Sequence, residues 1–365
     1  MCVGFGIVTC PSMPIPMPMP SPLRSRESAA WHQMCQRLSG AAIFDVGLPA
    51  DAEPTKGKPM TSTESRDFSK FCAALRDRLS DPHLDLATVR DIVETVHIAA
   101  KEPEGVTYAE VDAGGVEALW CVPPHSDPRS VLLHNHMGGS VFTSMHCDRK
   151  PAAHIAKAAR MRSLVINYRR SPEHKFPAQI EDVEKAYDWL LGQGYRPENI
   201  ASVGHSIGGN LAVSLAVRLR DRGAALPGAI LSISPWCDPT LSSNSIDTHA
   251  DVDMVLTRGL LELFRSCWLD GTGVDWTDPR VNLLKADLRD LPPIAVFYGT
   301  DELLSDEAVQ FALRAKAAGN DQQLQPVEGG QHSFIMAAGR VPEVDDAIKE
   351  MGKWLRRKLL LRAAP

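Results

Sequence analysis

No run of 18 or more apolar residues occurs in this chain of 365, so no membrane-spanning helix is expected. A basic stripe is also missing. Lys and Arg number 39 against 45 Asp and Glu, a formal net charge of −6, and nothing is arranged to follow a phosphate backbone. Nucleic acid is therefore not an expected partner. The eight cysteines (Cys2, Cys10, Cys35, Cys72, Cys121, Cys147, Cys237 and Cys267) include no CxxC pair, which points to reduced thiols in a cytoplasmic protein. The opening MCVGFGIVTC carries no basic residue before Arg24, so the positive n-region of a secretory signal is absent.

What is present divides the chain in two. Residues 1–59 hold PSMPIPMPMPSP, and proline at that density excludes helix and central strand, so an extended or disordered arm is expected. From about residue 60 the pattern is that of a folded domain. Phe68, Phe71, Leu75 and Leu79 mark one amphipathic helix, and Leu86, Val89, Ile92, Val93 and Val96 a second behind the cap Asp85. VTYAEVD and VEALWCV read as a hairpin joined at Gly114-Gly115. Apolar strands then alternate with helices. The strands are VLLH (131–134), SLVINY (163–168), IASVG (200–204), AILSIS (229–234), IAVFYG (294–299) and LQPVEG (324–329), with helices expected at 150–161, 180–194, 207–223 and 305–319 and an amphipathic helix closing the chain. Near-continuous apolar strands between helices imply an α/β fold with a mostly parallel sheet covered on both faces. Residues 237–290 carry helical patterns without a strong strand and read as an insertion over the strand edge.

Four segments carry candidate chemistry. GHSIG (204–208) fits G-x-S-x-G between an apolar strand and a long helix, the context in which a sharp turn presents a serine nucleophile, here Ser206. A serine needs a base, and the base needs a carboxylate. GTDELLSDE follows the strand IAVFY and places Asp301 just past a strand end; Asp306 competes but falls in a helical first turn, where it complements the helix dipole. EGGQHSF then supplies His332, the only histidine after His249. LLHNHMGGS follows another strand, and its Gly138 and Gly139 could aim N–H groups at a developing oxyanion together with the N–H of Ile207.

Taken together these segments resemble the bacterial hormone-sensitive-lipase-like esterases of the α/β-hydrolase fold. YRRSPEHKFPAQIEDVEKAYDWL (168–190) is similar to a segment of that family, and the likeness runs from about residue 105 to 360. The resemblance implies an α/β-hydrolase domain over 60–365, with a helical cap from about 60–100 and 237–275. It implies Ser206 as nucleophile, Asp301 as acid, His332 as base, and His136 as a structural histidine. Three departures stand out. The family's HGGG is HMGG here, and its GDSAG is GHSIG, so Met137 and His205 are expected at the substrate pocket; the family's proline after the acid is Glu302 here.

The implied activity is hydrolysis of short- to medium-chain esters through an acyl-enzyme, with no metal or cofactor. A lactone is an alternative substrate, acyl transfer an alternative outcome, and a non-catalytic small-molecule-binding relative an alternative class. A homodimer is left open. A metal hydrolase is the chemical rival, because His134, His136, His146, Cys147, Asp148 and His154 lie close in sequence.

Overall fold

Strands with no polar face must sit inside a sheet, and in the computed structural model they do. It describes residues 62–81 and 83–359; the arm expected at 1–59 lies outside the described residues. Eight strands form one sheet in the order β1-β2-β4-β3-β5-β6-β7-β8. They are β1 (Thr107–Asp112), β2 (Glu117–Val122), β3 (Asp127–Asn135), β4 (Met161–Ile166), β5 (Ile200–His205), β6 (Ala229–Ile233), β7 (Ile294–Gly299) and β8 (Gln322–Val327). The first two form the antiparallel hairpin, with Thr107 opposite Val122, and β2 runs antiparallel to β4. All other pairs are parallel. This is the mostly parallel sheet that the alternating pattern implied.

Both faces are covered, and the alternation of side chains along each strand divides the core. Leu132, Val203, Leu231 and Phe297 pack against α3 (Met145–Ala159) and the closing helix α9 (Pro342–Leu359). Val131, Leu133 and Leu164 face the other way, onto α4 (Ala178–Gly192) and α5 (Ile207–Asp221). Helix α8 (Ser305–Ala317) continues that second layer through Phe311, Ala312 and Ala315. Strand β3 lies between β4 and β5, so the chain reverses its direction of progress across the sheet there. A crevice opens outside the strand C-termini at such a reversal, and α/β proteins place their sites in it.

Above that edge lie α1 (Thr63–Leu79), capped by the Ser62 hydroxyl on the Ser65 N–H at 3.0 Å, and α2 (Leu86–Glu94), capped by Asp85 on the Thr88 N–H at 2.7 Å. The segment between β6 and β7 has no strand. It holds the single turn α6 (Ser245–Thr248) and α7 (Arg258–Leu269), whose Leu260, Leu263, Phe264 and Trp268 are buried. Helix α3 begins five residues before the expected position, at Met145. The reason is local: the Ser144 hydroxyl accepts the His146 N–H at 3.1 Å and caps it there, so Pro151 falls inside the helix rather than at its start. Cys72, Cys121, Cys147, Cys237 and Cys267 are buried free thiols. Among the described residues no helix is long and apolar enough to cross a membrane.

Candidate active site

Strand β5 ends at His205 and α5 begins at Ile207, leaving Ser206 alone in the turn between them. Its backbone is at φ 57° and ψ −126°, a conformation that costs a non-glycine residue about 1–3 kcal/mol and persists only where its surroundings enforce it. They do so here. The Ser206 N–H donates to the Ile233 carbonyl at 2.9 Å, and the Ser206 carbonyl accepts from Gly209, Asn210 and Trp236. The flanking glycines are sterically required: a Cβ on Gly204 would come within 2.2 Å of the Gly208 carbonyl oxygen, and one on Gly208 within 2.1 Å of that of Asn135.

After β3 the chain turns through Gly138 (φ 99°) and Gly139 (φ 61°). A Cβ on Gly138 would meet the Phe142 carbonyl oxygen at 2.4 Å, and one on Gly139 the Phe264 ring at 2.1 Å. His136 braces this loop from beneath. Its Nδ1 lies 2.8 Å from the Met137 carbonyl, its ring stacks on Tyr168 at 3.9 Å, and the Tyr168 hydroxyl donates to the His136 carbonyl at 2.9 Å. Burial pushes the His136 imidazole down to about 4, so it stays neutral at ordinary pH. The N–H groups of Gly138, Gly139 and Ile207 have no hydrogen-bond acceptor among the described residues. Met137 and Gly138 line the same cavity as Ser206.

His332 also lines that cavity and is 3% exposed. The carboxylate that holds it is not the expected Asp301. Glu302 Oε2 lies 3.1 Å from His332 Nδ1, and Glu302 is fully buried, whereas Asp301 is half-buried. The turn after β7 explains the change of residue. The Asp301 N–H donates to the Gly330 carbonyl at 3.1 Å, and Gly299 packs directly on Gly330. That pairing of loops sets the register in which the next side chain enters the protein under the histidine. Burial lowers the His332 imidazole to about 4 and raises the Glu302 carboxyl to about 8, so the histidine is neutral at ordinary pH. Asp253 is a further buried carboxyl, raised by burial to about 6, that acts electrostatically on His332. It ties the β6–β7 segment to this loop, accepting the Val255 and Leu256 N–H groups on one oxygen and the Leu303 N–H on the other, each at 2.8 Å.

His205 does not line the cavity, contrary to its expected pocket role. It precedes Ser206 at the end of a strand and points away from it, fully buried, with Nε2 2.5 Å from Asp148 Oδ2. The same oxygen lies 2.9 Å from His134 Nε2. Three elements thus meet in a His134–Asp148–His205 bridge whose donor atoms lie within 4.8 Å of one another, a set with the chemistry to hold a metal. As it stands, one carboxylate oxygen meets the Nε2 of both imidazoles, while Asp148 Oδ1 and His205 Nδ1 have no hydrogen-bond partner among the described residues, and the imidazoles hold Asp148 well below the usual carboxylate range against the penalty of burial. Of the other residues in the metal-hydrolase rival, His146 is exposed and His154 contacts the Lys101 carbonyl at 2.9 Å.

The cavity itself encloses about 90 Å³ and is walled largely by apolar groups from α1, α2, α7 and the HMGG loop. Phe68, Cys72, Leu75, Arg76 and Leu79 of α1, within the stretch expected to form a cap, line it, though none of them was singled out as a pocket residue from the sequence.

This geometry has known counterparts. Residues 132–336 match the family described as alpha/beta hydrolase fold. An acetyl-hydrolase of Streptomyces hygroscopicus is 33% identical over 67% of this chain and 81% of its own length. An esterase of Acinetobacter venetianus is 29% identical over 61% of this chain and 74% of its own. Among solved structures, an esterase from the bacterial hormone-sensitive lipase family aligns with a TM-score of 0.78 at 34% identity, covering 82% of this chain and all of that one. An esterase/lipase from an uncultured bacterium aligns at 0.75 and 29% identity, over 82% of this chain and 99% of its own. The chain belongs to the α/β-hydrolase family, in its bacterial hormone-sensitive-lipase-like branch, and is a carboxylic ester hydrolase.

Proposed function

We propose that the enzyme is a serine esterase that cleaves short-chain esters through an acyl-enzyme. The observation that carries this reading is the strained Ser206 turn opening into the same cavity as His332, whose far nitrogen rests on Glu302. His332 takes the Ser206 proton as the hydroxyl oxygen attacks the ester carbonyl. The oxyanion meets the unpartnered N–H groups of Gly138, Gly139 and Ile207, and the dipole of α5 points its positive end at the same place. His332 then protonates the leaving alcohol, and water repeats the cycle to release the acid. Glu302 keeps the imidazole in the tautomer that presents a bare nitrogen to the serine, and it stabilises the imidazolium that forms. Helices α1 and α2 with the segment 237–275 act as the cap, and the narrow apolar cavity favours short acyl chains.

The test is a chain-length series of p-nitrophenyl esters and lactones with Ser206→Ala as control. Loss of at least ~10³-fold in kcat with an unchanged melting temperature is expected for Ser206→Ala. Turnover retained in that variant would remove the serine mechanism.

A further inference from the structure

One wall of the cavity does not suit a simple alkyl ester. Arg76, near the C-terminal end of α1, lines it and is only 4% exposed. A guanidinium brings five N–H donors and a permanent charge. Two contacts are made: Nη1 donates to the Asp253 backbone carbonyl at 3.0 Å, and Nη2 meets the Met254 thioether at 3.9 Å. Among the described residues no carboxylate lies within ion-pair distance of it. The nearby Asp253 carboxyl is occupied elsewhere, by the N–H groups of Val255, Leu256 and Leu303. Around the arginine the walls are Phe68, Leu75, Leu79, Leu256 and Phe264. A buried cation in such surroundings is costly unless something charged or strongly accepting completes its hydrogen bonds. A single backbone carbonyl does not need a charged partner, so pinning α1 to the cap segment does not account for the choice of arginine.

We propose that the cavity takes esters bearing a carboxylate on the acyl or the alcohol portion, and that Arg76 is the residue that recognises it. This rests on the serine-esterase reading above, since it names the substrate class of that site. The remaining donors form the planar fork that fits a carboxylate with two parallel hydrogen bonds, and the apolar walls between Arg76 and Ser206 accommodate the short carbon chain that separates anion from ester. Within the cavity Arg76 is the group whose charge distinguishes such an ester from its neutral analogue.

The experiment compares matched pairs at pH 7 by titrating released acid: monoethyl glutarate against ethyl valerate, and 4-acetoxybutyrate against butyl acetate. In the wild-type enzyme the charged member of at least one pair is hydrolysed with kcat/KM at least about tenfold above its neutral partner. Arg76→Met lowers that charged-to-neutral ratio by at least about tenfold, and Arg76→Lys, which keeps the charge but loses the fork, falls between. Neutral esters preferred in both pairs by the wild type, or a ratio unchanged in both variants, overturns the proposal. Arg76→Lys keeps the comparison decisive if Arg76→Met fails to fold. Labelling of Ser206 by a fluorophosphonate separates the two layers. If Ser206 neither labels nor turns over any ester, the esterase mechanism falls. Calorimetric binding of glutarate to the same protein, lost in Arg76→Met, then still decides whether Arg76 forms an anion site.

Discussion

Replacing Glu302 by Gln tests which of two adjacent carboxylates serves the histidine. The change keeps the shape of a fully buried side chain and removes its charge. In the wild type Glu302 Oε2 sits 3.1 Å from His332 Nδ1, so the amide of Gln can place its NH₂ there and hold the imidazole in the tautomer that cannot accept the serine proton. Loss of the orienting carboxylate in serine hydrolases costs ~10³–10⁴ in kcat, or about 4–5 kcal/mol of barrier. Glu302→Asp shortens the arm by about 1.5 Å, which stretches the contact beyond hydrogen-bond range and gives an intermediate loss. Asp301→Asn leaves the Glu302–His332 contact in place and costs less than ~10-fold. The assay is initial-rate hydrolysis of p-nitrophenyl butyrate, with thermal melts of each variant to show that it folds. A deep loss in Asp301→Asn beside near-normal activity in Glu302→Gln would refute the assignment of the acid and the loop register behind it.

Three further outcomes follow from the same geometry. Gly139→Ala places a methyl group into the Phe264 ring at φ 61°, so its melting temperature falls and kcat drops by ~10² or more as an oxyanion donor is displaced; near-normal values in both would contradict the loop geometry. kcat/KM should rise with pH between about 4 and about 8, because burial holds His332 down to about 4 and it works only unprotonated, while burial raises Glu302 to about 8 and it supports the imidazolium only when ionised; a profile already flat from about pH 5 upward would contradict this. Asp148→Asn leaves two imidazole donors facing an amide and should destabilise folding by about 3 kcal/mol in urea melts, with a change under ~1 kcal/mol counting against a bridging role.

The readable parts of this protein were those encoded locally. A serine between two glycines, after an apolar strand and before a helix, is a local steric pattern, and the sharp turn at Ser206 was legible from it, whereas its proposed role needed the HMGG, Asp301 and His332 segments beside it. The sheet was equally plain, because buried parallel strands show as apolar runs. Asp301 against Glu302 was not legible. Both follow the same strand, and what selects between them is the contact of Gly299 with Gly330, some thirty residues apart. His205 did carry a usable signal: neighbours at a strand end project to opposite sides, so the residue beside an outward-facing serine faces inward. Arg76 carried none. It lies among charged neighbours on α1, and only the packing of that helix over the sheet edge reveals that it is buried.

That packing separates two kinds of inheritance along the chain. The groups proposed to make and break bonds lie within 132–336, the stretch the family match covers, whereas much of the cavity wall belongs to α1, at 63–79. Substitutions in α1 can therefore redraw the enzyme's diet without touching its chemistry. Lineages sharing one reaction can diverge in what they consume by editing a single helix near the start of the chain.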